Sequence, residues 1–82
     1  MDLIKLTEEI ILSIVDETEL VAVKEFPTDN EKEVLIQVLI DNKDMAKVIG
    51  KNGKVINAIR TIVQASSYLK DNKTIKINVD SI

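Results

Sequence analysis

One stretch of the chain combines residue types and spacing suited to chemistry: Val48-Ile49-Gly50-Lys51-Asn52-Gly53-Lys54. Gly50 and Gly53 are the only 2 glycines among 82 residues, where average composition would supply roughly six. Gly50 stands where a helix C-terminus favours positive φ. Gly53 stands at the mouth of a following helix, with no side chain to screen the N–H groups of its first turn. The helix dipole favours an anion at that point. Lys51 and Lys54 add charge and Asn52 adds a donor. The chemistry that fits is non-covalent, the gripping of a sugar-phosphate backbone laid across the loop. The competing explanation is a tight turn that needs glycine for its backbone angles alone.

Other chemistries fit less well. With Cys 0 and His 0, disulfide scaffolds, thiolate or imidazole zinc sites and Cys or Ser–His nucleophile systems are removed. No metal set or cofactor is expected. A P-loop would follow a strand and carry Ser or Thr after its lysine; this loop follows a helical pattern, and Val55 follows Lys54. The G-x-G-x-x-G dinucleotide fingerprint is absent. Acid–base catalysis needs carboxylates paired in a pocket, whereas the acids here cluster in the first third of the chain, where a solvated surface accounts for them. The chain is not expected to be an enzyme.

The net charge of -3 argues against indiscriminate nucleic-acid binding, but the charge is unevenly spread. Residues 1–33 hold ten acids and three lysines, net −7, and residues 34–82 hold four acids and eight bases, net +4. No acid occurs from Met45 to Leu69, where Lys47, Lys51, Lys54 and Arg60 lie. Apolar runs are too short for a membrane span of ~20 residues, and the Met1-Asp2 start lacks a signal-peptide pattern. A cytoplasmic protein without membrane contact is expected.

The elements that must position the loop follow from periodicity. Residues 3–15 place Leu3, Leu6, Ile10 and Ile14 on one helical face, widened by Ile4, Ile11 and Val15, with Asp2 as N-cap. Residues 19–26 are β-branched and short, and Pro27-Thr28-Asp29-Asn30 reads as a turn. Residues 33–40 are an almost continuous apolar run, as in a strand central in a sheet or buried on both sides. Asp41 or Asn42 caps a short helix carrying Met45, Val48 and Ile49, which ends at Gly50. A second helix runs from Gly53 to about Leu69. Its apolar stripe is Val55, Ile59, Ile62 and Ser66 with Ile56 and Val63 beside it, and its polar strip is Lys54, Asn57, Thr61 and Gln64. Residues 74–79 alternate, with Ile75, Ile77 and Val79 inward. The order α-β-β-α-α-β predicts an α+β fold. Three helices cover one face of a three-stranded mixed sheet, with the last two strands parallel. Residues 1–82 form one domain by length.

The string DMAKVIGKNGKVINAIRTIV, residues 44–63, resembles the core of a KH domain, an RNA-binding module whose G-x-x-G loop clamps about four backbone nucleotides. The element order resembles the type II, prokaryotic arrangement. The whole chain is similar to the small stand-alone bacterial KH-domain proteins of the KhpA type, including the Ile14-Val15-Asp16 end of its opening helix. Ala46 stands where the family's pattern usually has Gly, just before the Lys-Val-Ile-Gly run, and should stiffen that helix.

The resemblance implies backbone contact by Gly50, Lys51, Asn52 and Gly53, with Lys47 and Lys54 flanking. It also implies that Val48 and Ile49 floor a groove for unstacked bases; core packing is the other reading of those two. Strand residues Ile36, Val38 and Ile40 would form the opposite wall. Asn57, on the polar strip of the second helix, is counted with the RNA-contacting residues. Three roles are open to Arg60: RNA contact, partner contact, or an ion pair with an acid such as Asp44. With only Phe26 and Tyr68 aromatic, a multi-ring stacking platform is not expected. The implied partners are single-stranded RNA, and a second copy or a larger KH-containing RNA-binding protein. The implied role is post-transcriptional control linked to cell elongation and division. The alternative is a protein-interaction module with a structural glycine turn.

Overall fold

A computed structural model describes residues 2–82. Helix α1 spans Leu3–Leu12. The Asp2 carboxylate caps it, accepting from the Ile4 amide at 2.9 Å, which satisfies one of the first-turn donors. The helix stops three residues before the predicted end. Its buried line is Thr7 and Ile11, with Val15 just beyond, while Leu3, Leu6, Ile10 and Ile14 are only partly covered. The apolar arc is broad, and its centre lies to one side of the stripe that periodicity picked out. Thr7 tolerates full burial because its hydroxyl donates to the Leu3 carbonyl at 2.8 Å.

Strand β1 is Ala22–Phe26, shorter than residues 19–26, because Thr18–Leu20 close into a 3-10 turn. Strand β2, Glu33–Ile40, lies where it was expected. Val34, Ile36, Val38 and Ile40 are buried beneath the helices. Glu33, Leu35, Gln37 and Leu39 face the half-exposed side, so the strand is central but covered on one face only. Helix α2, Met45–Ile49, follows a 3-10 turn at Asn42–Asp44 capped by Asp41. Helix α3 runs Lys54–Lys70 and strand β3 Thr74–Ser81.

The sheet order is β1-β2-β3. β1 pairs antiparallel with β2, placing Val23 opposite Val38, and β2 pairs parallel with β3, placing Ile36 opposite Ile77. The crossover through two helices makes the parallel pairing possible. α1 and α3 pack on one another and on the sheet. On α3 the buried residues are Ile56, Ile59, Val63 and Ser67, whereas Ile62 is 49% exposed. The predicted α3 stripe is thus also off-centre: Ile62 points outward and Ser67, not Ser66, is buried. The Ser67 hydroxyl donates to the Lys73 carbonyl at 2.8 Å, which meets its burial. On the uncovered sheet face the Gln37 amide donates to Asp80 at 3.0 Å, and Lys76 pairs with Glu33 at 3.5 Å. Among the described residues no helix is long and apolar enough to cross a membrane.

Candidate nucleic-acid interface

The loop between α2 and α3 is built from backbone angles. Gly50 has φ 77 and ψ 174, a region open essentially only to glycine. A Cβ at Gly50 would overlap the Val55 γ-methyl and come within 2.8 Å of the Val55 backbone nitrogen. Asn52 (φ 57) and Gly53 (φ 77) are both left-handed, and Asn is among the few side chains that visit this region readily. Gly53 has room for a Cβ, whose nearest neighbour would be the Asn57 Nδ2 at 3.6 Å.

The loop's amides are not all open. Gly50 N–H donates to Ala46 at 2.9 Å and Gly53 N–H to Gly50 at 3.2 Å, while Lys54 N–H donates to Lys51. The expectation of uncovered N–H groups at the mouth of α3 narrows to the tip. There the Lys51 and Asn52 amides have no acceptor among the described residues. The side chains of Lys51, Asn52 and Lys54 are exposed, and among the described residues neither lysine has a carboxylate partner. Two free amides and two exposed ammonium groups therefore lie within one four-residue stretch, an arrangement that can hold a phosphate by charge-assisted hydrogen bonds.

The flanking residues divide. Val48 is fully buried in the core, so of its two readings the packing one holds and its side chain cannot floor a groove. Ile49 is half-buried and keeps some surface. Ile36, Val38 and Ile40 are also fully buried, and β2 is paired along both edges, so neither their side chains nor their backbone form a groove wall. The strand beside α3 is β3 instead. Lys47 is turned to Asp16, with which it forms an ion pair. That hydrogen bond, together with the charges of Asp16 and Asp44, holds its ammonium above the ordinary lysine value against the opposing effect of burial.

Arg60 does not pair with Asp44. Its guanidinium donates to the Ile77 carbonyl at 3.0 Å and to Asn57 Oδ1 at 3.1 Å, tying α3 to the outer edge of β3. Asp44 is 1% exposed, and its carboxylate accepts from the Asp16 and Glu17 amides, both at 3.0 Å. It thereby clamps the chain after α1 to the start of α2. Its only sequence signal is its place ahead of the α2 pattern, too weak to mark a buried clamp. The two amide bonds, aided by Lys47 and Lys43, hold its carboxyl below the ordinary value although burial pushes the other way.

A group with a depressed folded value contributes stability above its unfolded value of about 3.9 and loses it as pH falls through the folded one. Asp44→Asn should therefore lower stability at neutral pH and flatten the stability loss below about pH 4. Urea midpoints across that range test both effects. An unchanged acid limb would show that Asp44 does not set it.

Fold and loop together define the class, a KH-type α+β domain. Within it, the chain belongs to the KhpA/KhpB KH-domain family, whose model matches residues 4–80. It is 37% identical over 75 residues to an "RNA-binding protein KhpA" of Clostridium perfringens, covering 92% of this chain and 96% of that one. It is 38% identical over 74 residues to a protein of the same name in Oceanobacillus iheyensis, covering 90% and 95%. For that of Thermotoga maritima the identity is 33% over 75 residues, covering 92% and 95%. In fold it resembles Era in the crystal structure with MgGDPNP and nucleotides 1506-1542 of 16S ribosomal RNA. The TM-score is 0.65 and the identity 18%, covering 96% of this chain but only 29% of the Era chain. The family is one of RNA-binding proteins, not of enzymes.

Proposed function

We propose that this chain binds short single-stranded RNA by its sugar-phosphate backbone, through one KH module over residues 1–82. The observation that carries this is the pair of amides at Lys51 and Asn52 without an acceptor among the described residues, next to the exposed side chains of Lys51 and Lys54. Gly50 and Gly53 shape the loop, Lys51, Asn52 and Lys54 contact phosphate, and Ile49 and Asn57 flank the bound strand. Lys47 and Arg60, each engaged within the protein, contribute less. The name shared by the relatives, RNA-binding protein, supports the same conclusion.

Contact with three or four phosphates gives a slope of log affinity against log salt of about −2 to −3 for a single strand. Titrations with oligoribonucleotides at several salt concentrations measure it. A slope near zero would defeat the proposal, as would Lys51 and Asn52 amide resonances left unmoved. One such groove binds modestly, so useful affinity in the cytoplasm calls for a second module in the same assembly. A second copy, or a larger KH-containing RNA-binding protein, would supply it, in a role in post-transcriptional control linked to cell elongation and division.

A protein-interaction role gains support from the outer face of α3. Ala58, Ile62, Ala65 and Leu69 recur at i, i+4, i+7 and i+11, on one line of the helix; Ile62 is 49% and Leu69 91% exposed. An apolar line of this kind suits a helix-to-helix contact between two KH modules. Sedimentation is expected to show concentration-dependent dimers that Ile62→Glu abolishes. Monomers at every concentration would remove this reading.

A further inference from the structure

We propose that bound RNA continues past the loop along the polar edge of α3 and ends on Tyr68, whose ring stacks on one base. The proposal rests on the RNA binding proposed above and extends its footprint.

The path starts at the loop, since the Asn57 Nδ2 lies 3.6 Å from where a Gly53 Cβ would be. From Asn57, residues Thr61, Gln64 and Tyr68 follow at i+4, i+7 and i+11, a straight line on the helix surface. At ~1.5 Å rise per residue the line is about 17 Å long. At ~3.4 Å per stacked nucleotide that is about five nucleotides, more than the four that a G-x-x-G loop clamps.

The seam beside this line is closed. The Gln64 side-chain amide donates to the Lys73 carbonyl at 2.9 Å and accepts from the Ile75 N–H at 2.8 Å, as a neighbouring strand would. Arg60 covers the Ile77 carbonyl. A base therefore cannot reach these groups of β3 without displacing a side chain, and the strand is left to run over the polar surface above them.

Charge points the same way. The line begins beside Lys51 and Lys54, crosses a segment without acids from Met45 to Leu69, and ends just ahead of Lys70, Asp71 and Lys73 in the chain. Tyr68 is 56% exposed at its far end. Phe26, the other aromatic residue, lies on β1, two strands away from β3. An exposed ring at the end of an acid-free track suits a base of any identity, because every base has a π-face.

The chain has Tyr 1 and Trp 0, so the Tyr68 ring resonances are a unique reporter. The probes are oligoadenylates of about four and about ten nucleotides. Both are expected to shift the Lys51 and Asn52 amides, and only the longer to shift the Tyr68 ring. Tyr68→Ala should weaken the longer probe roughly ten-fold and leave the shorter unchanged, with Tyr68→Phe close to wild type. Loop amides that respond while the ring stays silent with the longer probe would overturn the extended track and spare the loop. Loop amides silent with both probes would overturn the RNA binding itself and the track with it. Equal weakening of both probes by Tyr68→Ala, or a loss of dimers with no length dependence, would assign Tyr68 to the fold or to a protein interface and overturn the proposal.

Discussion

Replacing Lys51 and Asn52 together by aspartate is expected to abolish RNA binding while leaving the fold intact. Both side chains are exposed and make no hydrogen bond or ion pair among the described residues. Asn52 sits at φ 57, which Asp also tolerates, so the double variant keeps the loop geometry. Against a phosphate, it removes a charge-assisted contact and brings two like charges to the anion. Hydrogen bonds to charged groups are each worth about 1.5–3 kcal/mol, so affinity should fall about 100-fold or more. Anisotropy titration reads the loss, and an unchanged circular dichroism spectrum and melting temperature confirm the fold. Lys47→Ala should cost far less, because Asp16 already holds that ammonium. Affinity retained within about three-fold in the double variant would show that the tip does not meet RNA.

Gly50→Ala should be the most destabilising single change in the loop. The conformation at φ 77 and ψ 174 penalises any L side chain by about 1–3 kcal/mol. The new methyl must also displace Val55, whose backbone nitrogen would lie 2.8 Å away, and overpacking of that kind adds about 1–3 kcal/mol. The sum of about 2–6 kcal/mol is a large part of a small domain's total of about 5–15. Gly53→Ala shares the positive φ and not the clash, so it should lose about 1–2 kcal/mol. Urea unfolding of the two variants separates them. Equal losses would mean that the packing of Val55 against Gly50 contributes nothing. The contrast also bears on function, because a folded Gly53→Ala protein reports on RNA binding whereas a Gly50→Ala protein reports mainly on stability.

Much of this architecture was legible in the residues. The run from Glu33 to Ile40 marked β2 to its exact ends, because residues 34–40 are apolar at every position but Gln37, although only the Val34, Ile36, Val38 and Ile40 face is buried. The alternation at Ile75, Ile77 and Val79 marked β3, and two glycines in four residues marked the joint between α2 and α3. The faces of α1 and α3 were less legible. Each helix carries an apolar arc wider than its footprint, so Ile62 and Val63 are equivalent by type, and only docking buried Val63 and left Ile62 outside. The site divided in the same way. The exposed tip of Lys51 and Asn52 followed from local sequence. The engagement of Lys47 by Asp16, of Arg60 by Ile77 and of the buried Asp44 by two distant amides did not.

The sequence by itself determined the order of elements, the position of the glycine loop and the concentration of positive charge around it. These depend on residue periodicity, on glycine's access to positive φ and on composition, all of them local properties. Only the tertiary structure decided which amides, cations and carboxylates remain available to a ligand. Availability is set by what folds against each group: Asp16 on Lys47, the Ile77 carbonyl on Arg60 and the Asp16 and Glu17 amides on Asp44 lie 17 to 31 residues away along the chain.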